Sequence, residues 1–456
     1  MEQLDRLERE QTARTLAQKD ILAFVNDVTD EASFVEKDAY LVGKSLLDGS
    51  PAYGEGVLTG TALIDGKPVV IIAQNAAVLF GGVGVGACRK MVHALHFAQQ
   101  QNLPVVSILD SGGVRVGEGT AVLEGLADVL IAAQALTSLH VVVLKGQAVG
   151  MMAAYALSAD FRYAIKDSTL SVVAPAVLLA DSLESQCHCL GADAMEEHGK
   201  VDGVFADTGA LRKELYSLFG WIFAPVETAD DPNRECPELA TSLSADLLLS
   251  AVCDDGEFTE FRPAVKGVRC VFTHINGQQV GLAITCRADE GSLDVPAVKK
   301  LQSFICELNC CGAAFISLVD SDGIVDLGCQ PAFAESLSGL AKELAGFANP
   351  MIGVACGRVM GNAYSLLFSK GAGFAYNLAF ATAEIGVLPP ESAIHLVFAD
   401  ELHRLGNTPE VRARLAELYS REKCSPFSAG EEGFIDEVIH PAALRPYLAQ
   451  ALQTLQ

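Results

Sequence analysis

Hydrophobic and polar positions along the chain lay out one pattern twice. In the first half, a hairpin over Thr61–Asn75 turns at Ile64-Asp65-Gly66. An Asp-Gly pair between apolar runs is a strong short-range signal for a two-residue type I′ turn. An amphipathic stretch follows at Ala87–Gln101, where Met91, Leu95 and Phe97–Ala98 mark one face of a helix. It leads to the run Leu103–Leu109, apolar enough for a strand covered on both faces, which ends at Asp110-Ser111-Gly112-Gly113. In the second half, a hairpin over Val271–Thr285 turns at Ile275-Asn276-Gly277. Another amphipathic stretch then leads to Ala313–Val319 and ends at Asp320-Ser321-Asp322-Gly323. The turn glycines Gly66 and Gly277 are 211 positions apart, and Asp110 and Asp320 are 210 apart. A third anchor, an apolar strand entering a glycine turn, falls at Gly150 and again 211 positions on at Gly361. Self-similarity at so long a period predicts two domains of one fold rather than a small-repeat solenoid.

The remaining pattern fills in the units. Met1–Asp30 predicts a polar helix, Tyr40–Gln74 β-structure, Ala121–Ala135 a helix, His140–Lys145 a strand and Met151–Leu157 a buried helix. Strands alternating with helices predict an α/β unit with a largely parallel sheet. Thr228–Glu238, containing Asp230-Asp231-Pro232-Asn233-Arg234-Glu235, predicts a polar linker. It divides the chain into residues 1–235 and 236–456, and the last helix follows Pro441 to Leu455. Chemistry in a duplicated enzyme is expected where copies face each other, within or between subunits.

Composition narrows the function classes. A length of 456 residues suits two domains, and half of the residues are hydrophobic, enough for cores and subunit interfaces. The net charge of −25 argues against a nucleic-acid partner, which needs clustered Lys and Arg. Met1–Asp20 lacks the apolar core of a signal peptide, and Leu139–Leu157 is interrupted by His140, Lys145 and Gln147, so no membrane span is expected. Thirteen scattered cysteines suggest a reducing cytoplasm. Cys187-His188-Cys189 and Cys310-Cys311 lack a second pair at metal-binding spacing and are expected to be core thiols, with no metal site.

No serine triad, HExxH, GxSxG or Walker signature is present, and the nine histidines show no mutual spacing. What remains is glycine-rich backbone at strand ends: Phe80–Gly86, Asp110–Arg115, Gly146–Gly150 and Gly357–Asn362. Such segments either make tight strand-to-helix turns or let a ligand approach backbone N–H groups at a helix start. The second use suits an anionic thioester whose enolate is held by paired N–H donors.

Several ordered motifs then point to a family. Ala32-Ser33-Phe34-Val35-Glu36, Gly54-Glu55-Gly56-Val57-Leu58-Thr59-Gly60 and above all Asp110-Ser111-Gly112-Gly113-Val114-Arg115-Val116-Gly117-Glu118-Gly119 resemble landmarks of the carboxyltransferase subunit of biotin-dependent acyl-CoA carboxylases and decarboxylases. Asp230–Arg234, Asp255–Phe258, Gly291–Asp294, Ala383–Ile385 and Gly433–Ile439 are similar to further landmarks in the same order. The resemblance runs from about Thr12 to the C-terminus. It implies a duplicated crotonase-like α/β fold. It also implies a reaction in which carboxybiotin on a partner carrier protein releases its carboxylate. The ureido nitrogen takes the α-proton of an acyl-CoA, and the enolate captures the CO2. Main-chain donors would come from Gly150 and Met151 in the first copy and Asn362 and Ala363 in the second, helped by Gly81 and Gly82. CoA would lie near Gly112, Gly113 and Arg115, or Arg115 is structural and paired with Glu118.

The resemblance further implies a biotin carboxylase or decarboxylase partner. It implies a hexamer of stacked trimers, with sites between the first copy of one subunit and the second copy of its neighbour. The sequence departs from the family at its key turns. Met151 replaces the second glycine of the first turn, and Asn362 takes the equivalent place in the second. A positive φ at Met151 would cost about 1–2 kcal/mol, whereas Asn tolerates it better. Three readings follow: an active carboxyltransferase, a decarboxylase component acting on a malonyl-, methylmalonyl- or glutaconyl-type thioester, or a non-catalytic paralogue within such a complex.

Overall fold

The computed structural model describes residues 2–44, 49, 51–174, 190–223, 230–289, 293–323 and 330–455. The chain divides into two compact units, Met1–Phe223 and Ala224–Gln456. The Asp230–Arg234 segment is built into the second unit: Arg234 donates to Asp230 and to the carbonyls of Ser250 and Cys253.

The first unit opens with helix α1 (Glu2–Val28) and the hairpin β1 (Val57–Ile64) and β2 (Lys67–Gln74). Then come α2 (Val85–Gln101), β3 (Val105–Ser111), α3 (Thr120–Gln134), β4 (His140–Val149), the short α4 (Met151–Leu157) and β5 (Phe161–Ile165). Strands β1 and β2 pair antiparallel, and β2, β3, β4 and β5 follow side by side in parallel. The second unit repeats the order with β6 (Arg269–Ile275), β7 (Gln278–Thr285), α5 (Val295–Cys311), β8 (Ala314–Ser321), α6 (Gln330–Gly346), β9 (Met351–Met360), α7 (Gly361–Leu367) and β10 (Tyr376–Phe380). Its pairing is the same, antiparallel for β6–β7 and parallel from β7 to β10. Helices cover the parallel strands, which is why Val105–Leu109 and Val141–Leu144 are apolar at nearly every position.

The duplication reaches details that hydropathy did not show. Both hairpins turn on two left-handed residues, Asp65 and Gly66 (φ 49° and 71°), and Asn276 and Gly277 (φ 52° and 74°). A carboxylate from an earlier segment accepts both turn N–H groups: Asp30 from Asp65 and Gly66, and Asp254 from Asn276 and Gly277. The register shifts at the end of β3 against β4, and again at the end of β8 against β9. Each shift sets an aspartate against a glycine of the next strand. A Cβ on Gly146 would lie 2.1 Å from Asp110 Oδ1, and one on Gly357 would lie 2.3 Å from Asp320 Oδ1. Lys90 and Lys300, 210 positions apart, are both buried with their ammonium groups on main-chain carbonyls: Val57 for Lys90, Val265 and Val268 for Lys300. Burial lowers both pKa values, that of Lys90 to about 8.

The cysteines behave unevenly. Cys88, Cys253, Cys270, Cys286, Cys356 and Cys424 are buried, but Cys310 is exposed and Cys311 half-buried at the C-terminal end of α5, which corrects the expectation of core thiols there. Cys187-His188-Cys189 lies outside the described residues. Among the described residues, no three His, Cys, Asp or Glu side chains gather as a metal site. No described helix is long and apolar enough to cross a membrane.

Candidate active site

Parallel sheets bind ligands beyond the carboxyl ends of their strands, and the glycine-rich segments of both units lie there. After β4, Gly150 takes φ 67° and ψ −129° and caps α4, so Met151 is the first helical residue. After β9, Gly361 takes φ 55° and opens α7, with Asn362 second. The left-handed positions are therefore the two glycines, while Met151 and Asn362 are helical. The strain feared for Met151 is absent because the preceding glycine absorbs the turn.

The first N–H groups of a helix have no intrahelical carbonyl, which leaves Met151, and Asn362 with Ala363, as available donors. Gly150 differs from expectation: its own N–H donates to the Ser171 carbonyl at 2.9 Å, so it is not free for a ligand. The same holds for Gly81 and Gly82, expected to help as donors, and for Gly112 and Gly113, expected near CoA. Gly81 and Gly82 donate to Val78 and Leu79 carbonyls, Gly112 to the Phe80 carbonyl, and Gly113 to Ser111 Oγ. Gly112 is exposed, and the nearest atom to a Cβ built there is 3.3 Å away.

Arg115 is a clamp. Its Nε donates to the Gly82 carbonyl at 2.9 Å, one terminal nitrogen donates to the carboxylates of Glu55 and Glu118, and the other donates to the Glu55 carbonyl at 2.7 Å. Glu118 also accepts from Val85 N–H at 2.7 Å and so caps α2. The expected pairing with Glu118 is present, whereas the contact with Glu55, a left-handed residue (φ 58°), was not expected. Arg115 thus positions the Gly81-Gly82 loop from beneath.

The two copies have diverged around this shared frame. In the first, exposed apolar side chains surround the glycines: Phe80, Val114, Val116, Val172 and Met151, the last 41% exposed. In the second, Asp322 replaces Gly112, and a charged network covers the strand ends. Arg358 binds Glu384 and Glu391 at 2.7 Å each and Asp322 at 3.4 Å, while Arg287 binds Asp320 at 2.7 Å. Burial works to lower the pKa of Arg358, but Glu391 and Glu384 together outweigh it and raise it. One apolar element is common to both copies: Val172 and Val387, each strongly exposed, turn their carbonyls toward Gly150 and Gly361.

Ser107, His140 and Tyr155 form a hydrogen-bonded cluster, with Ser107 Oγ 3.0 Å from His140 Nε2 and 2.8 Å from Tyr155 OH. It has the look of a nucleophile and base, but all three are buried in the core of the first unit. Burial lowers the His140 pKa to about 4, so the ring is neutral. Between pH 6.5 and 4 the unfolded chain then holds the extra proton, so this site makes stability fall as pH falls, by up to about 3 kcal/mol. Neighbouring Asp160, raised by burial, acts in the opposite sense. The expected result is that His140→Gln loses less urea resistance than the wild type between pH 7 and pH 4.5. Equal losses would contradict it.

This duplicated frame, a crotonase-like α/β unit with a glycine-opened helix at the end of the same strand in each copy, defines a class of acyl-thioester enzyme. The chain belongs to the carboxyl transferase domain family, which matches residues 19–456. It is 27% identical to the propionyl-CoA carboxylase beta chain of Roseobacter denitrificans, over 95% of this chain and 89% of the relative. It is 29% identical to the methylmalonyl-CoA decarboxylase subunit alpha of Veillonella parvula, over 93% of this chain and 88% of the relative. Its fold matches transcarboxylase 12S with a TM-score of 0.89 at 22% identity, over 99% of this chain and 95% of that one. That protein is described as a hexamer, solved with methylmalonyl-coenzyme A and methylmalonic acid bound.

Proposed function

We propose that this chain is the carboxyltransferase component of a biotin-dependent acyl-CoA carboxylase, acting on a short acyl-CoA in the cytoplasm. The observation that carries the reading is the pair of glycines 211 residues apart, Gly150 and Gly361, each left-handed and each opening a helix whose first amides lack intrahelical partners. Two such donor sets suit two carbonyl oxygens that gain negative charge: the thioester oxygen of the substrate and the ureido oxygen of biotin. The Met151 N–H holds the thioester oxygen in the first copy, beside the glycine floor at Gly112 and Gly113. Asn362 and Ala363 hold the ureido oxygen in the second.

The second-copy residues fit a biotin group, because the first amides of the helix opened by Gly361 lie by the main chain of Val387, whose side chain is exposed. When bound, biotin on a partner carrier protein supplies the carboxyl group and a ureido nitrogen to take the α-proton. The chain's own part is to orient both reactants and to stabilise charge. The partners are that carrier and a biotin carboxylase, and the assembly is a hexamer of stacked trimers. Its sites lie between the first copy of one subunit and the second copy of a neighbour.

A second reading, a decarboxylase component working in the opposite direction, is favoured by the likeness to a methylmalonyl-CoA decarboxylase subunit, equal in strength to that with the carboxylases. Purified protein incubated with methylmalonyl-CoA and free biotin is expected to transfer the carboxyl group and release propionyl-CoA only when biotin is present. Release without biotin supports direct decarboxylation instead. No turnover of malonyl-type thioesters, together with no CoA binding, removes both enzyme readings and leaves a non-catalytic subunit. Sedimentation as a monomer would contradict the proposed assembly.

A further inference from the structure

The open end of the β6–β7 hairpin holds a cavity of about 320 Å³. Its floor is apolar and buried, made by Val265, Val268, Ile284 and Cys286. The Lys300 ammonium fixes that floor through the carbonyls of Val265 and Val268. In the first copy the equivalent space is filled by α1. Glu36 pairs opposite Gly60 and Glu260 opposite Val271, 211 positions on, so the two glutamates hold one place in the two copies. Gln18, 4% exposed, donates to Glu36 at 3.1 Å, and Arg14 lies 3.6 Å from the same carboxylate. The Asn75 side chain, which follows β2 as Cys286 follows β7, donates to the Ala17 carbonyl at 2.9 Å.

The second copy lacks that plug. Asp30 and Asp254, which hold the two hairpin turns, are 224 positions apart, as are Glu36 and Glu260. By that count the helix Ala245–Val252 begins level with Ile21, and the chain enters it extended at Ser244 (φ −146°, ψ 158°). The helical turn that carries Arg14, Ala17 and Gln18 has no counterpart. The floor has changed with it. Val265 stands 211 positions after Gly54, where an added Cβ would lie 2.9 Å from the Gln18 amide, and Cys286 stands 211 after Asn75. The glutamate is kept, while a glycine and an asparagine have become a valine and a cysteine. Around the rim, three carboxylates (Asp246, Glu260 and Asp289) stand against two cations, Lys266 and Arg269, which leaves one net negative charge. Arg269 is itself held between Asp246 and Glu260. Such a rim favours a cationic head group, and the floor beneath it favours a short aliphatic chain.

We propose that this cavity binds a small ligand made of a short aliphatic body and one cationic head, a guanidinium or an ammonium. The inference does not depend on the acyl-CoA reading above. The test is a calorimetric titration of the full chain with n-butylguanidinium, beside methylguanidinium and butyrate. It is run on the wild type, on Val265→Phe and on Lys266→Glu.

n-Butylguanidinium is expected to saturate one site per chain, with butyrate unbound. Methylguanidinium, which lacks the aliphatic contact, should bind on the order of tenfold more weakly. Val265→Phe fills the floor and should abolish binding, provided that circular dichroism shows it folded. Lys266→Glu, a change at an exposed side chain, makes the rim more negative and should tighten binding several-fold. It carries the test where Val265→Phe does not fold. No saturable binding by the wild type overturns the inference. So does binding undiminished in folded Val265→Phe, or not strengthened in Lys266→Glu. Equal affinity for methylguanidinium would mark plain attraction to an acidic surface, and tighter binding of butyrate an anion site; either removes the assigned ligand class. Binding seen only in dissociated subunits would give the cavity to an arginine or lysine of a neighbouring copy and overturn the small-ligand assignment.

Discussion

Gly150→Ala is expected to lower kcat on the order of a hundredfold while CoA affinity stays within a few-fold of wild type. The conformation at Gly150, φ 67° with ψ −129°, belongs to a region that side-chain-bearing residues hardly populate. Space is not the obstacle, since the nearest atom to an added Cβ is the Val172 carbonyl oxygen at 3.8 Å. The penalty is conformational, on the order of 1–3 kcal/mol, and the chain relieves it by rotating the peptide between residues 150 and 151. That peptide carries the Met151 N–H, so relief swings the donor away from the thioester oxygen. Loss of one such donor costs about 100- to 1000-fold in kcat. The glycine floor proposed for CoA at Gly112 and Gly113 follows another strand and keeps its shape. The measurement is kcat beside a calorimetric CoA affinity. A kcat within threefold of wild type would show that Met151 N–H holds no developing charge.

Much of the frame behind this prediction was legible in the sequence. The period-211 duplication, the Asp-Gly and Asn-Gly turns and the alternation of strand and helix depend on local patterns, and each recurs at the expected residues. The site was legible as a set of glycines but not as a set of roles. Sequence shows that a glycine is present, not where its N–H goes. Gly81, Gly82, Gly112, Gly113 and Gly150 all donate within the protein, so of the donors expected in the first copy Met151 is the one whose N–H is left for a ligand. Long-range partners were equally silent. Glu55 meets Arg115 from 60 positions away, and Asp30 and Asp254 reach hairpins 22 to 36 positions on. Nor does periodicity separate Phe80 from a core aromatic, because its exposure is set by left-handed backbone on either side.

Arg445→Ala is expected to destabilise the second unit by about 3–5 kcal/mol, the largest stability effect of any single substitution considered. Arg445 is 1% exposed, yet every direction of its guanidinium is filled. Nε donates to the Asp231 carbonyl at 3.0 Å, and one terminal nitrogen donates to the Val252 carbonyl at 2.5 Å. The other lies 2.6 Å from Asp254 and 3.3 Å from Asp230. One side chain of the last helix thereby ties the start of the unit to the carboxylate that holds the Asn276-Gly277 turn. Truncation leaves the buried Asp254 carboxylate without its cation and takes the guanidinium from the Val252 carbonyl, while the Asp231 carbonyl keeps the Arg234 N–H, and that desolvation cost outweighs the lost packing. The equivalent turn in the first unit has no such vulnerability, because Asp30 is held by Tyr216 near the surface. The check is a urea titration that follows the unfolding of the second unit. Pairing Arg445→Met with Asp254→Asn should recover part of the loss, since no buried charge is then stranded. A double variant no better than Arg445→Ala alone would place the cost in packing instead.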